Sequence, residues 1–148
     1  MIFIDSNVFV IDLRYPRDPN AAVNTRFLDR VHKAGDGATT LVNLLKVAGI
    51  LSHNLNPRQL RELVAHFPRR YGVRVLPTPE ADASLASVPL ATLLELMQRR
   101  LSLGDALVLH QVEQHAVAGA RFVTWDAAHF KGKTALPVLT PARYLRGG

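Results

Sequence analysis

Short apolar runs alternate along this chain with longer segments whose apolar residues recur at helical spacing. The runs at residues 1–4, 73–76, 121–124 and 137–139 predict strands, the last of them at a sheet edge. Because these strands are short and separated by helical segments, we predict an α/β sandwich with a mainly parallel central sheet. No repeat or linker interrupts the pattern, so residues 1–148 are expected to form a single domain.

The predicted helices have recognisable first and last residues. Asn20 is a predicted N-cap, and Gly35 and Gly37 are expected to end the helix that it begins. Asn56 followed by Pro57 is typical of a helix start. Helices are therefore predicted from Asn20 to Gly35 and over residues 40–52, 56–71, 90–100 and 102–117, with a proline-broken loop at 14–19 and a turn or broken helix at 77–87.

Three aspartates are expected at the ends of these elements. Asp5 follows the first strand, Asp126 follows the strand at 121–124, and Asp105 lies near the start of the helix at 102–117. Ligands of parallel α/β sheets gather at the carboxyl ends of the strands. The coincidence of three carboxylates at such positions favours a shared site.

Each aspartate also has a purely structural interpretation. Asp5 could cap a turn, Asp126 could cap a short helix, and Ser102 and Asp105 have capping-box spacing. These interpretations do not account for the grouping of all three at one end of the sheet. Grouped aspartates suit Mg²⁺ or Mn²⁺, which can activate water and stabilise charge on a phosphate during phosphodiester hydrolysis.

Three motifs, spread over nearly the whole chain, carry a family resemblance. They are Ile4-Asp-Ser-Asn7, Ser102-Leu-Gly-Asp-Ala106, and Val123-Thr-Trp-Asp126 followed by His129-Phe130. In order and spacing the chain resembles the PIN-domain ribonucleases, especially the VapC-type toxins of bacterial toxin-antitoxin pairs.

The resemblance implies a PIN-like fold, a Mg²⁺ or Mn²⁺ site, and cleavage of an RNA substrate by activated water. It also implies a homodimer and a cognate antitoxin protein. Carried onto this sequence, it makes Asp5, Asp105 and Asp126 the catalytic metal ligands, direct or through water. Asn7 and Thr124 would orient them by hydrogen bonds.

Lys46 is the departure from the family pattern, because it occupies the position of the family's acidic residue on the helix at 40–52. Asn43 and Lys46 are three residues apart and form a polar face on an otherwise apolar segment. A buried ammonium is costly unless it is paired, so Lys46 is predicted to act as an internal counter-ion for the aspartates. The alternative is a lysine that extends along the helix edge into solvent.

Charge and cysteine content limit the kinds of partner and the cellular compartment that are expected. The chain carries 18 Lys+Arg against 12 Asp+Glu, a formal charge of +6, which makes phosphate-rich partners plausible. It contains no cysteine, which excludes disulfides and thiolate metal sites and fits a cytoplasmic protein. The longest uncharged run, residues 83–94, contains a proline and is too short to span a bilayer, so no membrane association is expected.

Basic residues near the predicted site are candidates for RNA binding. Arg14 and Arg17 are expected in the loop after the first strand, and Lys131 follows Asp126. Such side chains can hold phosphate groups. His129 is nearer the site than the other histidines, but we interpret it as a surface packing residue.

The function predicted from the sequence is a metal-dependent endoribonuclease, the toxin of a toxin-antitoxin system, impaired by Lys46. One alternative is a catalytically inactive PIN domain that binds RNA or an antitoxin. Another is a phosphatase of the haloacid dehalogenase type, which also places an Asp after its first strand. Asn7 argues against the phosphatase, since an amide cannot serve as the acid/base two residues after the nucleophile.

Overall fold

A computed structural model of the chain describes residues 1–80, 82–85 and 87–147. Its five strands form one sheet in the order β3-β2-β1-β4-β5, and every neighbouring pair is parallel. The strands are β1 (Ile2–Ile4), β2 (Gly37–Thr40), β3 (Val73–Leu76), β4 (Arg121–Val123) and β5 (Val138–Leu139). The predicted α/β class with a parallel sheet is confirmed, and β5 is an edge strand as expected.

Eight helices surround the sheet in the described part of the chain. They are α1 (Ser6–Arg14), α2 (Ala21–Ala34), α3 (Leu41–Leu51), α4 (Pro57–Tyr71), α5 (Leu90–Gln98), α6 (Leu103–His115), α7 (Ala127–Phe130) and α8 (Pro141–Leu145). None of these helices combines the length and apolar character that a membrane span requires.

Apolar side chains of alternating strand positions form two cores, one on each side of the sheet. Ile2 and Ile4 of β1 face the core that α1, α2, α3 and α4 cover, whereas Phe3 faces the core that α5 and α6 cover. Strand β1 is therefore buried on both of its faces, which explains why it is continuously apolar rather than alternating. The result is a three-layer α/β/α sandwich.

The predicted helix boundaries that agree best with the structure are those marked by capping residues. Asn56 forms a complete capping box with Gln59 at the start of α4, and Gly72 ends that helix in the left-handed conformation. Thr40 accepts a hydrogen bond from the Asn43 backbone at the start of α3. Asn20 occupies the N-cap position of α2 as predicted, but its side chain makes no capping hydrogen bond.

Helix α1 and strand β2 were not predicted. Three polar residues, Asp5, Ser6 and Asn7, separate β1 from the apolar residues of α1, and these three were interpreted as a turn. Gly35 ends α2 as predicted, but Gly37 begins β2. A Cβ atom at Gly37 would lie 2.5 Å from Val31 Cγ1 and 2.9 Å from Val73 Cγ1, so glycine is required there by packing.

The segment between β3 and α5 contains no helix or strand among its described residues, 77–80, 82–85 and 87–89. A turn or broken helix was predicted at 77–87, and the described residues of that segment form no helix. Residues 81 and 86 of that segment lie outside the described residues.

Candidate functional site

Four elements place polar side chains at the carboxyl end of the sheet. Asp5 follows β1 and Thr124 follows β4, and these two strands are paired side by side. Lys46 lies on α3, which follows β2, and Asp105 lies in the first turn of α6. Asp5, Thr124 and Lys46 lie there because each follows a parallel strand, and parallel strands end at the same edge of the sheet.

Asp5 is 4% exposed and is held by neutral hydrogen-bond donors. Thr124 Oγ1 donates to Asp5 Oδ2 at 2.7 Å, and the Ser6 backbone N–H donates to Oδ1 at 2.7 Å. Burial raises the pKa of Asp5, although the Thr124 bond and the nearby positive charge of Lys46 act in the opposite direction. A proton on this carboxyl group is therefore favoured by its surroundings.

Thr124 joins the ends of β1 and β4 through its single hydroxyl group. Besides donating to Asp5, Thr124 Oγ1 accepts a hydrogen bond from Asn7 Nδ2 at 2.9 Å and one from the Asp126 backbone N–H at 3.1 Å. Asn7 Oδ1 in turn accepts from the Trp125 backbone N–H at 3.2 Å. Asn7 and Thr124 thus fix the backbone around Asp5, which is compatible with the orienting role that the resemblance implies.

Lys46 and Asp105 form an ion pair close enough to Asp5 for both charges to act on the Asp5 carboxyl group, and we call the surroundings of these three side chains the acidic pocket. Lys46 Nζ donates to Asp105 Oδ1 at 3.0 Å, and the two side chains are 32% and 23% exposed. Burial alone would raise the pKa of Asp105, but the hydrogen bond and charge of Lys46, helped by Ser102 and His129, lower it overall. The Lys46 side chain is directed at a carboxylate of the pocket and is not freely extended into solvent.

His129 lies against Asp105, in agreement with the expectation that it is nearer the site than the other histidines. Its Nε2 lies 3.4 Å from Asp105 Oδ2, a distance compatible with an ion pair when the ring is protonated, but it is not aligned for a hydrogen bond. Its Nδ1 lies 3.4 Å from Lys133 Nζ. Its ring also packs edge-on against Phe130, with ring centroids 5.1 Å apart, so the interpretation of His129 as a packing residue stays open beside its contact with Asp105.

Asp126 does not join the other two aspartates through its side chain. Its backbone binds Thr124, but its carboxylate is exposed and makes no hydrogen bond or ion pair with the described residues. Nor does Asp126 cap α7 with its side chain. No three His, Asp or Glu side chains within residues 1–80, 82–85 and 87–147 are grouped so that they could hold a metal ion. The expected three-carboxylate cluster is therefore not formed.

Asn43 lies at the end of β1 and has an uncommitted side-chain oxygen. Its Nδ2 donates to the Ile4 carbonyl at 3.2 Å, while its buried Oδ1 has no hydrogen-bond partner in the described part of the chain. An uncommitted oxygen of this kind could accept a bond from a donor or face a cation. With the Lys46 ammonium already paired to Asp105, however, the residues present do not fit Mg²⁺ or Mn²⁺, which need several free oxygens. The metal-ligand roles of the aspartates stay predictions.

The basic residues proposed for RNA binding occupy different places. Arg14 is the last residue of α1 rather than part of a loop, and its Nη1 donates to the Ile50 carbonyl at 3.2 Å. Together with Lys46 and His53 it lines a groove of about 460 Å³ beside the pocket. Arg17 lies in the following turn, and Lys131 is exposed after α7. Arg14 is thus the basic candidate that the structure brings next to Lys46.

Comparison with known proteins identifies the fold. No protein-family model matches the chain, and no curated protein matches it. A solved structure of FitAB bound to an IR36 DNA fragment is similar, with a TM-score of 0.60, 17% sequence identity, and 95% of each chain covered. Identity this low assigns no residue roles. The expected PIN-like α/β/α sandwich with a parallel central sheet is confirmed.

Proposed function

We propose that this chain is the toxin component of a toxin-antitoxin pair, built on a metal-dependent endoribonuclease architecture whose activity is impaired by Lys46. The observation that carries the proposal is the 3.0 Å ion pair between Lys46 and Asp105 beside Asp5. The likeness in fold to FitAB, over 95% of both chains, supports the same class of protein.

The side chains around the pocket have separable roles in this proposal. Asp5 and Asp105 present carboxylates, and Asn7 and Thr124 hold the backbone around Asp5 in place. Lys46 neutralises Asp105 and so provides internally the positive charge that a divalent ion would otherwise provide. RNA would approach along the groove that Arg14 lines.

The proposed partners follow from the resemblance and from the neighbour in fold. FitAB is a complex that binds a DNA fragment. By analogy we propose a cognate antitoxin, an RNA substrate and a homodimer for this chain. Light scattering that found only monomers, with no small protein copurifying from the native host, would contradict the proposed assembly.

The second candidate function is a catalytically inactive PIN domain that binds RNA or an antitoxin. The same Lys46 ion pair favours it, because the pair neutralises Asp105 without a metal ion. A phosphatase of the haloacid dehalogenase type is disfavoured further, since both polar atoms of the Asn7 amide are committed to Thr124 and Trp125.

Replacement of Lys46 distinguishes an impaired nuclease from an inactive module. In Lys46→Glu the competing cation is removed and an oxygen ligand is added, so we expect Mn²⁺ binding by calorimetry and an increase of about tenfold or more in Mn²⁺-dependent RNA cleavage. Lys46→Ala removes the cation without adding the ligand. It should therefore recover metal binding better than cleavage.

Arg69→Glu is the matched control, because it makes the same change of charge on the exposed surface of α4. It should leave metal binding and cleavage at the level of the unaltered chain. If folded Lys46→Glu bound Mn²⁺ and cleaved RNA no better than this control, Lys46 would not be the cause of impairment. Metal binding without cleavage would favour the inactive module.

A further inference from the structure

A second basic surface lies on α2, away from the acidic pocket. Arg26, Arg30 and Lys33 are four and three residues apart, so they share one face of the helix, and all three are exposed. With Leu145 of α8 they line a groove of about 430 Å³. Arg146, also exposed, follows Leu145. We call these four basic residues the α2 basic surface.

The positive charge of this surface is largely uncompensated. No ion pair joins Arg26, Arg30, Lys33 or Arg146 to a carboxylate of residues 1–80, 82–85 or 87–147. Asp29 is the one acidic residue among those lining the groove. Such a concentration of unpaired cations attracts polyanions.

Contacts within the protein hold one side chain of this surface, that of Arg30, in position. The Arg30 guanidinium lies 5.5 Å from the centre of the Tyr144 ring and donates to the Leu145 carbonyl at 3.5 Å. Tyr144 itself packs edge-on against the buried Phe27, with ring centroids 5.2 Å apart. Contacts to a rigid ring reduce the conformational entropy that Arg30 would lose on binding a ligand.

The α2 basic surface extends toward the opposite end of the sheet from the acidic pocket. Lys33 is close to the end of α2, which leads into the first residue of β2. Gly37 of β2 is level with Ile2, at the start of β1, whereas Asp5 follows the end of β1. A ligand bound along the exposed face of α2 toward Lys33 therefore lies away from Asp5, whereas α2 begins close to it, where Asn24 bonds to Trp125.

We propose that the α2 basic surface binds the phosphate backbone of RNA as a second site, separate from the acidic pocket. The proposal rests on the proposed function only in taking RNA as the polyanion. Residues 26 to 33 span about 10 Å of helix, long enough to contact more than one phosphate group. Charge complementarity provides affinity there without base specificity.

An anionic membrane is the competing polyanion, and the structure disfavours it. Helices that bind membrane surfaces place large apolar side chains beside their basic residues. The exposed large hydrophobic residues of the described chain lie on other elements, and none is on α2 or α8. They are Tyr15, Leu45, Ile50, Leu85, Leu90, Leu94, Leu103 and Val117.

The double variant Arg26→Ala/Lys33→Ala tests the site while leaving Arg30 and its support of α8 in place. Binding of a fluorescent single-stranded RNA is measured by anisotropy in EDTA, so that metal-dependent cleavage does not contribute. We expect affinity at low salt to fall by about tenfold. The slope of log K against log salt should become shallower by about 1.4, the value for two lost contacts to a single strand.

Arg61→Ala/Arg69→Ala is the matched control, since it removes two exposed cations from α4 and gives the same net charge. The control should change affinity by less than about twofold. Equal losses in the two variants would overturn the proposal, because net charge alone would then explain them. Binding to phosphatidylserine vesicles without binding to RNA would overturn it as well. Neither result would affect the Lys46→Glu test of nuclease impairment.

Discussion

Two carboxylates of one pocket differ in how the protein holds them. Asp5 is buried and bound by a hydroxyl and a backbone N–H, and burial raises its pKa. Asp105 lies at the surface of the same pocket, where Lys46 outweighs the effect of burial and lowers its pKa. The difference shows that residue type and position in the motif do not fix the charge of a carboxylate. The neighbours that the fold supplies decide it.

This difference gives Lys46 its effect on function. A divalent ion would need the oxygens of both carboxylates at once. At Asp105 the ammonium is already within hydrogen-bond distance, and at Asp5 burial raises the pKa of the carboxyl group. The two halves of the pocket therefore differ in what a divalent ion would have to displace or overcome. Each half can be altered separately.

The largest expected effect comes from removing the neutral donor of Asp5. Thr124→Val deletes the hydroxyl that binds Asp5, Asn7 and the Asp126 backbone. Loss of a bond to a buried carboxyl group, together with two unpaired donors, should lower the free energy of unfolding by about 3 kcal/mol. Urea denaturation measures the change.

Thr124→Ser is the control for this substitution, because it keeps the hydroxyl and removes only a methyl group. Its cost should be near 1 kcal/mol. Equal losses in the valine and serine variants would mean that packing of the methyl group, rather than the hydroxyl network, holds the Asp5 half of the pocket together.

A smaller effect is expected at the other half of the pocket. Asp105→Asn leaves the partly exposed Lys46 without a charged partner, and at neutral pH it should cost about 1 to 2 kcal/mol, between the values for surface and buried pairs. The pKa of Asp105 is lower in the folded protein than in the unfolded chain. The stability that the ionised side chain contributes is therefore present above the pKa of the unfolded chain, and it is lost as pH falls through the pKa of the folded protein. The cost should therefore disappear in acid.

Asp126→Asn is the matched control for Asp105→Asn, since it makes the same chemical change at an exposed carboxylate with no ion pair in the described chain. It should alter stability by less than about 0.5 kcal/mol. A cost at position 105 that stayed constant between acid and neutral pH would show that the Lys46 ion pair does not stabilise the fold.

The sequence predicted much of the fold because its signals are local. Capping at Asn56 and the left-handed residue Gly72 are properties of a few neighbouring residues, and they set the limits of α4. Strand β2 was missed because the reason for Gly37 is the approach of Val31 and Val73, from elements far away in the chain. Contacts of that kind leave no periodic pattern.

The same distinction applies to the candidate site. Lys46 was expected to face the aspartates because it interrupts the apolar surface of a single helix. The position of His129 depends on how α7 lies against α6, which no local pattern records. The order of Asp126 in the motif indicated a third carboxylate in the pocket, but a strand end fixes only its backbone and not the direction of its side chain.

The last test, and the sharpest one of the difference between the two carboxylates, is a change of pH dependence at Asp5. Since the folded pKa of Asp5 is raised by burial, the folded state holds the proton more tightly than the unfolded chain does. The stability that this provides is complete below the unfolded pKa and is lost as pH rises through the folded pKa. The asparagine side chain of Asp5→Asn is neutral at every pH, so this variant does not lose stability in that way. Measured by urea denaturation from acid to neutral pH, the variant should therefore gain stability relative to the unaltered chain as pH rises, whatever constant offset the amide introduces.

The slope of this stability difference against pH is opposite to the one expected for Asp105→Asn. If both variants showed the same slope, the two carboxylates would be held alike, and the internal asymmetry of the pocket would not exist.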